Sequence, residues 1–139
     1  MTNLVRICIL TFLFLSPVTL FAQSAVTQVS SAVTISDEIS LQDLNQLIDR
    51  SRFRSVILQR PDHDRGNGLT VYQLRDVAEK ARVSLIYQPI ENGSNTQTDI
   101  YAFARYYNSL PKPILLICKS GKRALDLYTQ AKQQGLLND

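Results

Sequence analysis

The residues best suited to chemistry stand together as Cys-Lys-Ser-Gly-Lys-Arg, Cys118 to Arg123. They follow the apolar run Ile114–Ile117 and precede Ala124, Leu127, Tyr128 and Ala131, which repeat at helical spacing. A cysteine so placed ends a strand and faces the unpaired N–H groups and positive dipole end of the next helix. Both favour a thiolate, as do the cations of Lys119, Lys122 and Arg123. Gly121 lets the backbone turn with its amides inward, making a nest for an oxyanion, which Ser120 helps to shape. Arg123 offers a planar fork to two oxygens of a sulfonate, sulfate or phosphate. Nucleophile, nest and anion clamp thus share a single short segment. The competing reading is a space-filling cysteine with solvated lysines and an arginine paired to a nearby carboxylate. Coincidence of the thiol, the glycine and the arginine at a strand-to-helix junction favours reactivity.

Three more residues are candidates for a general acid or for the pocket wall. Asp62 and His63 lie in the polar loop Arg60–Gly68, and Glu91 follows the apolar stretch Val83–Ile90. Either carboxylate could protonate a leaving group if suitably placed, against the ordinary role of a solvated loop residue. His63 is the only histidine, within Asp-His-Asp. Without a second His or a Cys nearby the ligand set is too thin for a metal, so no metal and no cofactor are expected. Tyr101, Phe103, Tyr106 and Tyr107 fall at helical spacing and read as packing. The formal charge of +3 is interspersed rather than clustered, which argues against nucleic acid as a partner.

These groups need elements to position them. Leu41, Leu44, Leu47 and Ile48 share a helical face behind Ser40, a fitting N-cap. Phe53–Gln59 holds contiguous Val56, Ile57 and Leu58, the pattern of a strand covered on both sides. Thr70 and Gln73 form a capping box ahead of Val71, Leu74, Val77, Ala78 and Ala81. Val83–Ile90 reads as another strand. Ile100, Phe103, Ala104 and Tyr107 mark a helix stopped before Pro111 and Pro113, and Ile114–Cys118 is the last strand. Gly135 ends the closing helix. Alternating helices and strands imply an α/β domain with a small, mostly parallel central sheet flanked by helices. Its loops after Gln59, Ile90 and Ile117 are expected to converge at the carboxyl edge.

With 139 residues, 45% hydrophobic, the chain has material for one core and not two. Residues 1–22, with Arg6 ahead of an apolar run from Ile7 to Phe21, read as a secretory signal peptide. That run is too short to span a bilayer and Pro17 interrupts it, so no stable membrane insertion is expected after cleavage. Residues 23–32 read as a flexible lead-in, and residues 33–139 as the folded domain. Export to a periplasm or the exterior follows. Loss of Cys8 with the signal leaves Cys118 as the sole thiol, which rules out an internal disulfide.

The Cys-Lys-Ser-Gly-Lys-Arg-Ala segment has companions in "FRSVILQRPD", "VSLIYQPI" and "TDIYAFARYYNSLPKPILLIC". Together they resemble the beta-lactamase hydrolase-like protein, phosphatase-like domain family, also described as a sulfurtransferase family and related to dual-specificity phosphatases. The resemblance runs from about Ile35 to Gly135. It implies a three-layer phosphatase-like fold, Cys118 as nucleophile, and the backbone from Lys119 to Arg123 as anion cradle. Tyrosine-phosphatase-type loops hold one more residue between cysteine and arginine than Lys119, Ser120, Gly121 and Lys122 provide; this shorter interval is similar to the rhodanese loop. Ala124 also replaces the usual Ser or Thr, and the "QPIENG" loop lacks Asp. The expectation is therefore a sulfurtransferase: Cys118 takes sulfur from a small anionic donor such as thiosulfate, forming a persulfide passed to a thiol acceptor. The alternative is a phosphatase acting on a phosphate ester through phospho-cysteine, with Glu91 or Asp62 as acid. A second alternative is a non-catalytic anion-binding module.

Overall fold

The computed structural model of the chain describes residues 25–91 and 95–139. The expected signal peptide lies outside the described residues. The described chain runs β1 (Val26–Gln28), β2 (Val33–Ser36), α1 (Leu41–Ser51), β3 (Ser55–Leu58), α2 (Val71–Ala81), β4 (Ser84–Tyr87), α3 (Gln97–Ser109), β5 (Ile114–Ile117) and α4 (Lys122–Gln133). One sheet holds the five strands in the order β1-β2-β5-β3-β4, all parallel except the antiparallel edge strand β1.

β1 corrects the expectation of a flexible lead-in over residues 23–32. Val26, Thr27 and Gln28 pair with Ser36, Ile35 and Thr34. All three are exposed, so they show no alternation of buried and polar positions for a sequence reading to detect.

The continuous apolar strands follow from burial on both faces. Along β5, Ile114 and Leu116 enter one core cluster, with Ile100, Phe103, Tyr107, Leu127 and Ala131 of α3 and α4. Leu115 and Ile117 enter the other, with Leu44 and Ile48 of α1 and Leu74 and Val77 of α2. The result is a three-layer sandwich of helices, sheet and helices, with β5 at its centre flanked by β2 and β3.

Side chains fix the starts of three helices. Ser40 Oγ accepts from the Asp43 N–H at the head of α1. Thr70 and Gln73 form the expected box at α2, and Thr96 with Asp99 forms another at α3. Each cap satisfies donors that a helix cannot pair within itself. Gly135, at φ 68, follows the end of α4 in the left-handed conformation that glycine accepts at least cost. Among the described residues no helix is long and apolar enough to cross a membrane.

Candidate active site

Hydrogen bonds beyond the strand ends draw the carboxyl-edge loops together. The Gln59 N–H donates to Ile117 O at 2.8 Å, and the Ile90 N–H donates to Gln59 O at 3.0 Å. From the β2–α1 loop, the Glu38 N–H donates to Lys119 O at 3.3 Å. The segments following β2, β3, β4 and β5 therefore meet around the cysteine loop, as parallel strands with helical crossovers require.

Cys118 is the first residue past β5 and is fully buried. Its N–H donates to Ser36 O across the β2 side at 3.2 Å, and its side chain belongs to the cluster containing Ile35, Leu116 and Ala124. Lys119, Ser120 and Lys122 are exposed around it, and Gly121 is half-buried. Gly121 has φ 73, and a Cβ there would sit in ordinary contact 3.5 Å from Ile35 Cγ2. The turn, rather than crowding, is what calls for glycine. Gly121 also makes α4 the one helix among those described with no side-chain cap. The N-terminal amides of α4 therefore have no side-chain cap to pair with beside the thiol.

Arg123 lies in the first turn of α4 with its side chain 12% exposed. Its Nη1 donates to Ile90 O at 2.6 Å, and Nη2 stands 3.6 Å from Asp64 Oδ2. A backbone carbonyl on one nitrogen and a carboxylate near the other restrict the fork.

The structure divides the remaining candidates. Asp62 Oδ1 accepts from the Val71 N–H at 2.9 Å, and the Asp62 N–H donates to Tyr87 Oη at 3.0 Å. Asp62 thus secures the start of α2. His63 Nε2 and Glu91 Oε2 lie 3.4 Å apart with both side chains about 70% exposed, linking the β3–α2 and β4–α3 loops at the surface. Among the described residues no group of three or more His, Cys, Asp or Glu side chains could hold a metal ion.

Sequence reasoning missed three buried polar residues next to this loop. Asp64 is 6% exposed and lies between two guanidiniums, 3.8 Å from Arg60 Nε and 3.6 Å from Arg123 Nη2. Arg60 in turn reaches Glu38 at 3.0 Å and donates to Arg65 O at 2.9 Å. Carboxylates and guanidiniums therefore alternate in a chain Glu38–Arg60–Asp64–Arg123 that ends at the cysteine loop. Arg60 and Asp64 stand four apart, which is the only local signal of this pairing. Gln59 is wholly buried, and neither its Nε2 nor its Oε1 has a hydrogen-bond partner among the described residues. Each orphaned group of this kind costs about 1–3 kcal/mol. A lone glutamine after an apolar run carries no sequence signal of that isolation.

With this geometry established, the comparisons are direct. Residues 25–135 match the family described as Beta-lactamase hydrolase-like protein, phosphatase-like domain. The chain belongs to this family. The beta-lactamase hydrolase-like protein of Xylella fastidiosa is 35% identical over 79 residues, 57% of this chain but 18% of its relative. The chain thus spans about a fifth of the length of the curated relatives it matches. Among solved structures, a Neisseria meningitidis protein with a provisional phosphatase assignment superposes with TM-score 0.67 at 21% identity, covering 73% of this chain and 72% of its own. The core catalytic domain of the PP-IP phosphatase SIW14 from S. cerevisiae, solved with citrate, gives TM-score 0.62 at 15% identity, covering 79% and 66%. At these identities the structures establish the fold, which is phosphatase-like as the family membership is.

Proposed function

We propose that this domain is a cysteine-dependent phosphatase acting on a small phosphate ester. The observation that carries the reading is Cys118 buried at the end of β5, beside an uncapped α4 and an Arg123 already held by Ile90 O. Family and fold support this alternative ahead of the sulfurtransferase expected first.

The Cys118 thiolate attacks phosphorus, forming an S–P bond as the ester P–O bond breaks. Amides of the Lys119–Arg123 segment and the Arg123 fork hold the three non-bridging oxygens, where charge must be stabilised. Glu91, at the loop opening, gives its proton to the departing oxygen. In the second step water cleaves the S–P bond, Glu91 takes the water's proton, and orthophosphate leaves with the thiolate restored. Asp62 is less suited to this acid role because it already binds the Val71 N–H.

One feature favours a second reading. Only Lys119, Ser120, Gly121 and Lys122 separate Cys118 from Arg123. A tight ring of this kind suits a persulfide: Cys118 attacks the sulfane sulfur of thiosulfate, an S–S bond forms, sulfite leaves, and a thiol acceptor later takes the sulfur. Export to a periplasm or the exterior forms part of either reading.

Intact mass and phosphate release discriminate them. Phosphate release from an aryl phosphate, with a trapped phosphoryl adduct absent in Cys118→Ser, is the expected result. A single-sulfur adduct from thiosulfate, removable by reductant and unaccompanied by phosphate release, would transfer the assignment to sulfur chemistry. Anion binding without either reaction would leave a binding module.

A further inference from the structure

Gln59 is the least explained polar residue of the molecule. It is wholly buried, yet the nitrogen and oxygen of its carboxamide lack a hydrogen-bond partner among the described residues. Native structures satisfy the large majority of buried polar side chains, and exceptions point to a functional demand. Gln88, just past the neighbouring strand, is half satisfied: its Nε2 donates to Asp99 O at 3.0 Å, while its Oε1 has no partner among the described residues.

Strand register says what the Gln59 amide stands beside. Leu58 pairs with Ile117, and the ladder continues through the Gln59 N–H to Ile117 O. The next position on each strand is Gln59 and Cys118. Successive side chains alternate between faces of a sheet. Ile57 and Leu116 enter the cluster beneath α3 and α4, and so does Cys118. Gln59, two residues beyond Ile57, falls on that same face, next to the thiol and under the start of α4.

A thiolate is an acceptor with no hydrogen of its own, and in a buried position it needs donors. We propose that Gln59 is a further catalytic residue: its side-chain amide, unpartnered in this structure, donates a hydrogen bond to the Cys118 sulfur once the thiol ionises. The bond holds the nucleophile in its charged form before attack and receives the charge that returns to sulfur when the S–P bond breaks. No proton is transferred by the amide. Charged and titratable groups on the surrounding elements are Lys119, Lys122 and Arg123 of the β5–α4 segment, Arg60, Asp62, His63 and Asp64 after β3, Glu91 after β4 and Glu38 after β2. None of these changes in the variants below.

The inference rests on Cys118 being the nucleophile, so its test is independent of turnover. The rate of Cys118 alkylation by iodoacetamide is followed against pH in the parent, Gln59→Leu and Gln59→Glu, with the melting temperature of each. Leucine removes both orphaned atoms at similar volume, so the melting temperature is expected to hold or rise. Alkylation at neutral pH is expected to slow about tenfold, in line with loss of one hydrogen bond to a charged group, and its profile to move to higher pH. Glutamate should slow it further by placing a like charge beside the sulfur. If Gln59→Leu does not fold, Gln59→Met carries the same comparison. Unchanged alkylation in a folded apolar variant overturns the inference, including the case of a lowered melting temperature, which would make Gln59 structural. A parent thiol that resists alkylation throughout would instead bring down the nucleophile reading itself.

Discussion

The two ends of the sheet both gather polar side chains and use them in opposite ways. At the amino-terminal end, a cleft of about 440 Å³ is lined by Tyr107, Lys112, Tyr128, Lys132 and Asp139, among others. Most of its polar groups close on one another. Tyr107 Oη donates to Asp139 Oδ1 at 2.6 Å, and Lys112 Nζ donates to Tyr107 O at 2.6 Å while lying 4.5 Å from the Tyr107 ring centre. Tyr128 Oη is the exception, buried without a partner. At the carboxyl-terminal end, the Gln59 carboxamide has no hydrogen-bond partner among the described residues, Asp64 Oδ2 meets Arg60 Nε and Arg123 Nη2 only in looser ion pairs at 3.8 and 3.6 Å, and α4 begins without a side-chain cap. One end ties elements together. The other leaves a buried amide and helix N–H groups unpaired beside a looser set of ion pairs, the difference that the proposed anion site requires.

The sharpest way to break this contrast is at Arg123. Arg123→Met should lower phosphate release about 10²–10³-fold, the scale of losing a preorganised oxyanion donor. Arg123→Lys should recover only part, because an ammonium cannot reproduce the fork. Steady-state kinetics with an aryl phosphate, read beside thermal melting, checks both. Equal activity in all three proteins would show that the carboxyl end is no more specialised than the amino end.

A smaller effect is expected at Asp64. Asp64→Asn leaves the shape of this chain of ion pairs but removes the charge between Arg60 and Arg123. The clamp loses one of its restraints, and turnover should fall roughly tenfold, short of the hundredfold that a misplaced catalytic group can cost. Asp64→Glu should restore part of it. Orthophosphate affinity, measured by calorimetry, should weaken in the same order. A loss of melting temperature with unchanged turnover would place Asp64 among the purely structural ion pairs.

How far the sequence anticipated these regions depends on how local each feature is. The Thr70–Gln73 box, the Ser40 cap and the doubly covered strands are patterns within a few residues, and the structure reproduces them. Cys118 and Arg123 stood out as candidates for the same reason, since thiol, glycine and arginine fall within one short segment. β1 was not, because a three-residue exposed strand depends wholly on its partner β2. Asp64 and Gln59 were hidden for a related reason. Their importance comes from burial against groups brought in by other strands, and a polar loop residue gives no periodic sign of burial. Asp62 shows the converse. Its place in the Arg-Pro-Asp sequence suggested the pocket, yet its carboxylate is committed to the start of α2.

The weakest predicted effect probes the amino end and should leave activity alone. Burial, followed by the hydrogen bond to Asp139 and the negative charge of that carboxylate, raises the Tyr107 hydroxyl well above its ordinary value of 10.0. A folded-state value above the unfolded one means that the native protein keeps a proton which the unfolded chain releases. The contribution is fully present below about pH 10 and is lost as pH rises through the folded value. Tyr107→Phe removes this titration along with the Asp139 bond. It should lower the melting temperature modestly near neutrality and flatten the alkaline decline, so that the gap between parent and variant holds up to about pH 10 and narrows only as pH rises beyond it. Phosphate release should not change. Melting curves across that range, with one activity measurement near neutrality, test the division between the ends. Lost activity in Tyr107→Phe would mean that the tied end also governs the reserved one, through α3 and β5, which run between them.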